Sequence, residues 1–382
     1  MIHENLQSLH ATHQQTLAYL LPDLRGGGAE RVMLTLATQL SQTGYAPLFV
    51  LANADGAFLD EAQRIGARVI DLKAQRLRNV VRPLRDWLKQ ESPTALISAM
   101  WPLNSLAVWA ARGTGVPVIT TDHNTLSQQY ATKGVAHLMA MRASIRATYP
   151  KALANVSVSA GAARDLEDLG LLPKGSVKVI HNPIEQPYAQ AGTATWPAGA
   201  RHRVLAVGNL RWQKDFPTLL RGFRVMLDRG IDGELVILGE GADRAALEAL
   251  VTDLDLTGRV SLHGFCDDPG AYYSSADLFV LSSQWEGFAN VVVEAMAHGL
   301  PVVSTDCPNG PSEILSRGRY GTLVPVADPE ALAQAIASVL NAPHDPMKSR
   351  RRARDFRPEV AAAQFSKLLP PAKEPLTGET RI

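Results

Sequence analysis

Short apolar runs recur along the chain, each followed by a glycine-, proline- or polar-rich turn and then by a stretch with helical spacing. Residues 16–21 (TLAYLL) are the first such run; after the turn at 22–28, Val32, Met33, Leu36 and Leu40 fall on one face of a helix predicted over 29–40. Further strands are predicted at 47–51, 68–71, 95–98 and 116–120, with helical stretches between them, and 154–158 (ANVSV) and 177–180 (VKVI) close the series. Strands alternating with helices predict a parallel sheet covered on both faces. His181, Asn182 and Pro183 break the rhythm, and 186–200 (QPYAQAGTATWPAGA) reads as a linker.

A second series then begins. Strands are predicted at 204–207, 235–238, 260–262 and 278–281, with helices at 217–228, 242–252 and 330–340 and a helical stretch at 345–368 interrupted by Pro358. The run at 278–281 leads into a polar turn carrying Trp285, Glu286 and Gly287, then into a helix over 289–298 that contains Glu294 and ends at Gly299, and Pro301 opens another strand. The expected fold class is α/β, two Rossmann-like doubly wound parallel-sheet domains. The expected division is a disordered N-terminus at 1–15, a first domain at 16–185, a linker at 186–201, a second domain at 202–345, helices at 346–368 and a disordered tail at 369–382.

Composition narrows the function classes. At 382 residues the chain has ample length for two cores. The 38 Lys+Arg and 37 Asp+Glu nearly cancel, so no overall field favours nucleic acid. Cys266 and Cys307 form neither a disulfide framework nor a metal-ligand spacing, which suits a reducing, cytoplasmic compartment. The opening residues are polar and lack the apolar core of a signal peptide, and no run of about 18 apolar residues would span a membrane.

Candidate chemistry lies where the predicted strands end, because open α/β sheets bind ligands beyond the carboxyl ends of their strands. Glu286 and Glu294 flank a helix start, where free backbone N–H groups and the positive dipole end suit a phosphate. Carboxylates beside such a site accept hydrogen bonds from sugar hydroxyls, so the pair suggests a sugar nucleotide. Arg211 and Lys214 follow the strand at 204–207 and suit a diphosphate. His123 follows the strand at 116–120, and Gly26, Gly27 and Gly28 let backbone approach a ligand closely. That glycine turn fits neither the dinucleotide nor the P-loop pattern, which argues against a nicotinamide oxidoreductase. Two basic stretches, one from Arg76 to Lys89 and one with Arg142, Arg146 and Lys151, suit either solvent or anionic lipid headgroups.

Taken together, these landmarks resemble the retaining family 4 glycosyltransferases of the GT-B fold over about residues 16–368. The stretch from Glu286, Gly287 and Phe288 to Glu294 and on through Ala295–Val303 is similar to the family's E-x7-E signature. The turn Gly27, Gly28, Ala29, Glu30 is similar to its N-terminal glycine loop. The turns at 208–214 and 239–241 and the Asn182–Pro183 hinge also match.

The resemblance implies that Glu286 binds donor-sugar hydroxyls and Glu294 the ribose. It implies that backbone N–H groups near Phe288, Ala289 and Asn290 meet the distal phosphate or sugar, and that Lys214 neutralises the diphosphate. His123 would sit beside the transferred sugar, Gly27 and Gly28 would close on the phosphates, and the turn with Gly239 and the segment reaching Phe265 would edge the nucleotide. The family usually has Arg where this chain has Asn209, so either Arg211 supplies that charge or Lys214 carries the diphosphate. The helices at 346–368 would pack back toward the first domain.

The implied reaction is transfer of a hexose or N-acetylhexosamine, with retention and without a bound metal, from a nucleoside-diphosphate sugar, a UDP-sugar being favoured. The implied acceptor is a sugar hydroxyl on a lipid-linked glycan or surface polysaccharide, at the cytoplasmic face of a membrane. Front-face displacement is the implied mechanism. A sugar-nucleotide epimerase or hydrolase of the same architecture, and a non-catalytic sugar-nucleotide-binding partner, are the alternatives.

Overall fold

A computed structural model describes residues 15–185, 193–266 and 268–370. Of the segments expected to be disordered, 1–15 and 369–382, residues 1–14 and 371–382 lie outside the described residues, as do residues 186–192 of the expected linker.

The first sheet contains β1 (Gln15–Leu21), β2 (Tyr45–Leu51), β3 (Arg68–Asp71), β4 (Ala95–Ala99), β5 (Val118–Asp122), β6 (Ala154–Ser157) and β7 (Val177–Val179). Its seven strands lie in the order β3-β2-β1-β4-β5-β6-β7 and pair in parallel. The second sheet contains β8 (His202–Val207), β9 (Gly233–Leu238), β10 (Val260–Gly264), β11 (Leu278–Leu281), β12 (Val302–Thr305) and β13 (Thr322–Val324). Its six strands lie in the order β10-β9-β8-β11-β12-β13, also parallel. In each sheet the order reverses beside the first strand, which opens a crevice at the carboxyl ends there.

Alternation along each strand feeds two cores per sheet. Leu17, Tyr19 and Leu21 pack on one face of β1, and Ala18 and Leu20 on the other. In β8, Leu205 faces one way and Val204 and Ala206 the other. Both faces being covered, β4 and β9 are buried along their whole length, which is why such strands read as continuous apolar runs.

The structure adjusts several predicted boundaries. The strand expected at 116–120 runs from Val118 to Asp122, because Pro117 cannot donate within the ladder and the pairing with β6 extends to Asp122. The stretch at 345–368 is three pieces, Pro346–Ala353, a 3₁₀ turn Arg354–Phe356 and Pro358–Ser366. Pro358 sits in the first turn of the last piece, where its missing N–H costs nothing. That last helix buries Ala361, Ala362 and Phe365 against the first sheet's core, and Leu369, placed by composition in the tail, is buried there too.

The two sheets meet at their carboxyl ends. Ile184 N–H donates to the Phe356 carbonyl at 2.8 Å, Thr125 Oγ1 to the Glu286 carbonyl at 2.7 Å, and Asn182 Nδ2 to Asn290 Oδ1 at 2.7 Å. Glu313 joins the seam by accepting from Ala160 N–H at 2.9 Å and pairing with His181 Nε2 at 2.5 Å.

Candidate functional site

A cleft of ≈ 430 Å³ lies between the two sheets. From the first domain it is lined by Gly28, Glu30, Trp101, Asp122, His123 and Asn182, and from the second by Asn209, Arg211, Lys214, Glu286, Phe288 and Asn290, among others. Strand ends, a glycine turn and a helix start thus converge on one space.

The glycine turn brings the helix Gly28–Ser41 to the cleft end-on, with Gly27 as its N-cap in an extended conformation. Gly28 lines the cleft, and a Cβ there would lie 3.9 Å from Asn290 Nδ2. Gly27 is one position back and does not line it. Burial raises the pKa of Glu30, beside Gly28, above the usual carboxylate range.

The end of β5 supplies Asp122 and His123. Asp122 is fully buried and accepts from Tyr149 Oη at 3.0 Å, without a cation beside it among the described residues. Burial pushes its pKa up to about 7, opposed by hydrogen bonds from Tyr149 and Asn104. His123 Nε2 lies 3.0 Å from Thr121 Oγ1. That hydroxyl already gives its proton to the Ser98 carbonyl at 2.9 Å, so it accepts from Nε2–H, and Nδ1 is left as an acceptor buried without a partner. Burial pushes the imidazole pKa down to about 4, so it is neutral near pH 7.

The second domain supplies charge. Lys214 follows β8 in a 3₁₀ turn, and its Nζ reaches Glu286 Oε1 at 2.6 Å, with Ser283 Oγ donating to the same oxygen at 2.7 Å. A Cβ at Gly208 would lie 3.1 Å from Lys214 Cε, so the glycine leaves room for the lysine stem across the strand end. Gln213 fastens this turn to the signature loop, donating Nε2–H to the Trp285 carbonyl at 2.9 Å and accepting from Gln284 N–H at 2.8 Å.

The helix Asn290–His298 starts at the cleft. Its N-cap, Ala289, holds φ 78°, a left-handed conformation that costs a non-glycine residue about 1 kcal/mol or more. Asn290 and Val291, whose N–H groups are among the first of the helix and have no partner within it, line the cavity. Glu294 lies a turn deeper and does not line the cavity. It accepts from Tyr273 Oη at 2.8 Å, and burial raises its pKa while Tyr273, Arg31 and Lys214 oppose that shift.

Thus Gly28, His123, Asn209, Arg211, Lys214, Glu286, Gly287, Phe288, Ala289 and Asn290 come together, whereas Gly27, Gly239, Phe265 and Glu294 lie off the lining. Gly239 instead permits a close backbone approach. At φ 140° a Cβ there would lie 2.1 Å from the Gly208 carbonyl, so only glycine lets the two strand ends come together. Phe265 is 66% exposed beyond β10. Sequence reasoning missed Trp101 and Gln129 as cleft residues, and it placed Asp122 only in the turn beside His123 and Asn182 only in the hinge. A readable signal existed for Asp122, which directly precedes His123 at a strand end, but none for Gln129.

Two facing parallel sheets with a charged cleft between their carboxyl ends are the arrangement of the GT-B fold. Residues 26–186 match the model described as Glycosyltransferase Family 4, and residues 201–342 the model described as Glycosyl transferases group 1. The chain belongs to this family and is a glycosyltransferase. It is similar to the lipopolysaccharide core biosynthesis glycosyltransferase LpsE of Rhizobium meliloti, 28% identical over 83% of this chain and 86% of that one. It is also similar to the Campylobacter jejuni N-acetylgalactosamine-N,N'-diacetylbacillosaminyl-diphospho-undecaprenol 4-alpha-N-acetylgalactosaminyltransferase, 31% identical over 50% of this chain and 52% of that protein. Anabaena HepE, solved with UDP and glucose, superposes with a TM-score of 0.73 at 18% identity, covering 92% of this chain and 98% of that one.

Proposed function

We propose that this protein transfers a hexosyl or N-acetylhexosaminyl group, with retention, from a UDP-sugar to a sugar hydroxyl of a lipid-linked glycan. The observation that carries the donor half is the Lys214–Glu286 pair at 2.6 Å, set beside a helix start in one cleft with His123. A diphosphate in this cleft competes with Glu286 for the Lys214 cation, and the freed carboxylate can then accept from donor-sugar hydroxyls. Developing charge on the leaving diphosphate is met by Lys214, by Arg211 and by the N–H groups at 290 and 291, so the reading needs no metal. Glu294 serves the ribose from the deeper turn, after a shift away from Tyr273. Neutral His123, with Nδ1 free to accept, suits a sugar hydroxyl rather than a phosphate.

With Glu286 and Lys214 engaged by the donor, front-face displacement remains the working mechanism, the leaving phosphate taking the acceptor proton. The UDP preference draws on HepE, solved with UDP-glucose, and the lipid-linked acceptor on the Campylobacter enzyme's diphospho-undecaprenol substrate. No described helix is long and apolar enough to cross a membrane, so the acceptor would be met at the bilayer surface. The exposed Arg76, Arg78, Arg82 and Lys89 offer charge for that encounter, at a cytoplasmic membrane face.

The test is a panel of nucleotide sugars read by melting temperature and nucleotide release. The correct donor raises the melting temperature, because binding to the folded state alone stabilises it. Glu286→Ala and Lys214→Ala each abolish transfer while the fold survives. Full activity in the double variant, or no response to any donor, overturns the reading.

A further inference from the structure

The helix Val135–Thr148 inverts the usual pattern of a surface helix. Its buried side holds Met141 and Ile145. Its exposed stripe, where polar residues are expected, is Val135, Ala136, Met139, Ala140, Ala143 and Ala147. Val135 is 76% and Met139 57% exposed. Isolated exposed apolar residues need no explanation, but a continuous helical stripe of them does.

The charges on this helix and the segments that flank it in sequence are all basic. Between Asp122 and Asp165 the chain holds no acidic residue and five basic ones. Of these, Lys133 precedes the helix, Arg146 stands on its exposed last turn and Lys151 follows it, all three exposed. The packed neighbour Ala160–Gly170 brings three carboxylates: Asp165, which accepts from Ser127 N–H, the buried Glu167, which accepts from Val177 N–H, and the exposed Asp168. On the other side the helix Leu103–Ala111 adds Trp109, 54% exposed, whose carbonyl accepts from Arg85 Nη2. The stretch from Arg76 to Lys89 thus contributes charge to the same side, but its own apolar residues Leu84 and Leu88 are buried.

The stripe also borders the cleft. His137, on the same helix, meets Trp101 edge-on at 5.4 Å and Tyr130 at 5.3 Å, and Trp101 lines the cavity on the first-domain side. Trp101 gives its indole N–H to Ser144 of that helix at 2.9 Å.

We infer that the exposed face of Val135–Thr148 is a membrane-docking surface that lies in the headgroup layer of an anionic bilayer. Val135 and Met139 would enter the apolar boundary while Lys133, Arg146 and Lys151 reach the phosphates. Long basic stems suit that interface because they bury their methylenes and keep the charge in water. A protein partner is the weaker fit, since lysine is depleted at protein–protein interfaces. The inference rests on the lipid-linked reading for its purpose, but it is tested without any sugar.

The full-length protein is spun with vesicles of phosphatidylcholine, with and without phosphatidylglycerol, at low and high salt. Wild type sediments with the anionic vesicles and is released by salt, because charge attraction is screened within about 8–10 Å. Val135→Glu/Met139→Glu loses this binding at least about tenfold, and Arg146→Glu and Lys151→Glu each weaken it about fivefold or more. All these positions are exposed, so melting temperature and its rise with UDP stay at wild-type values. Wild type that ignores anionic vesicles, or variants that bind them unchanged, overturns the inference. So does a dimer, seen by light scattering, that Met139→Glu dissolves while vesicle binding is absent. Vesicle binding without any UDP response would instead sink the donor reading and leave the surface standing.

Discussion

Gly287→Ala is the substitution that tests most directly how the two sheets cooperate. A Cβ at this position would lie 2.2 Å from the His123 carbonyl oxygen, 2.9 Å from its carbon and 2.8 Å from Asn124 Cα. Carbon contacts settle near 3.5 Å, so the seam must open by about 1 Å. Every opposing atom is backbone, and no rotamer can yield. The opening breaks the Thr125 bond to the Glu286 carbonyl and, with it, the 2.7 Å bond from Asn309 Nδ2 to Thr125 Oγ1. It also moves His123 away from Lys214 and Glu286.

A misplacement of about 1 Å in a reacting constellation costs about 10²-fold in rate. The cores of both sheets are untouched, because the strain is relieved by separating domains rather than by repacking them. The variant should therefore keep its melting temperature to within a few degrees and keep its rise with UDP, whose proposed contacts lie on the second sheet. Turnover with the donor found by the panel should fall about 100-fold. A turnover within about threefold of wild type, less than 1 kcal/mol of barrier, would refute the claim that the observed seam is the working geometry.

Three further outcomes follow from the site. Lys214→Ala leaves the Glu286 carboxylate, 8% exposed, with Ser283 as its remaining side-chain partner, and should cost up to about 3 kcal/mol; Lys214→Ala/Glu286→Gln should melt closer to wild type, and neither should transfer sugar. Asp122 holds its proton to about pH 7 when folded, against 3.8 ordinarily, so its stabilising contribution is full below pH 3.8 and is lost as pH rises to 7, a loss of about 4 kcal/mol. Asp122→Asn cannot titrate, and its melting temperature relative to wild type should climb across that window and then level; a constant difference would show that Asp122 titrates normally. His123 behaves oppositely: the folded imidazole refuses a proton until about pH 4 while the unfolded one takes it at 6.5, so stability is lost as pH falls between them, and His123→Gln should flatten that limb of the melting profile.

The sequence alone determined what depends on local order. Apolar runs of strand length alternating with helical spacing dictated two parallel sheets, because strands buried on both faces must be apolar throughout and their crossovers must be amphipathic helices. The turns carrying Gly28, Lys214 and Glu286 were legible for the same reason: each follows a strand, and parallel strands deliver their ends to one edge of a sheet. The glutamate spacing around the helix start carried the family resemblance only together with the glycine turn, the Asn182–Pro183 hinge and the turns at 208–214 and 239–241, which precede it in that order along the chain.

Tertiary structure alone decided which of these residues meet. Gly239 and Phe265 also follow strands, but β9 and β10 lie outward from β8 in the second sheet, away from the reversal in strand order. Glu294 shares a helix with Asn290, yet four residues add a full turn and place its carboxylate against Tyr273 instead of the cavity. Trp101 and Gln129 carry no local mark of function; they line the cleft because β4, β5 and the elements after them pack at the edge facing the second domain. Asp122 and His123 were legible as a strand end, but their shifted protonation was not, since it arises from the burial of that end between two sheets that only the folded chain brings together.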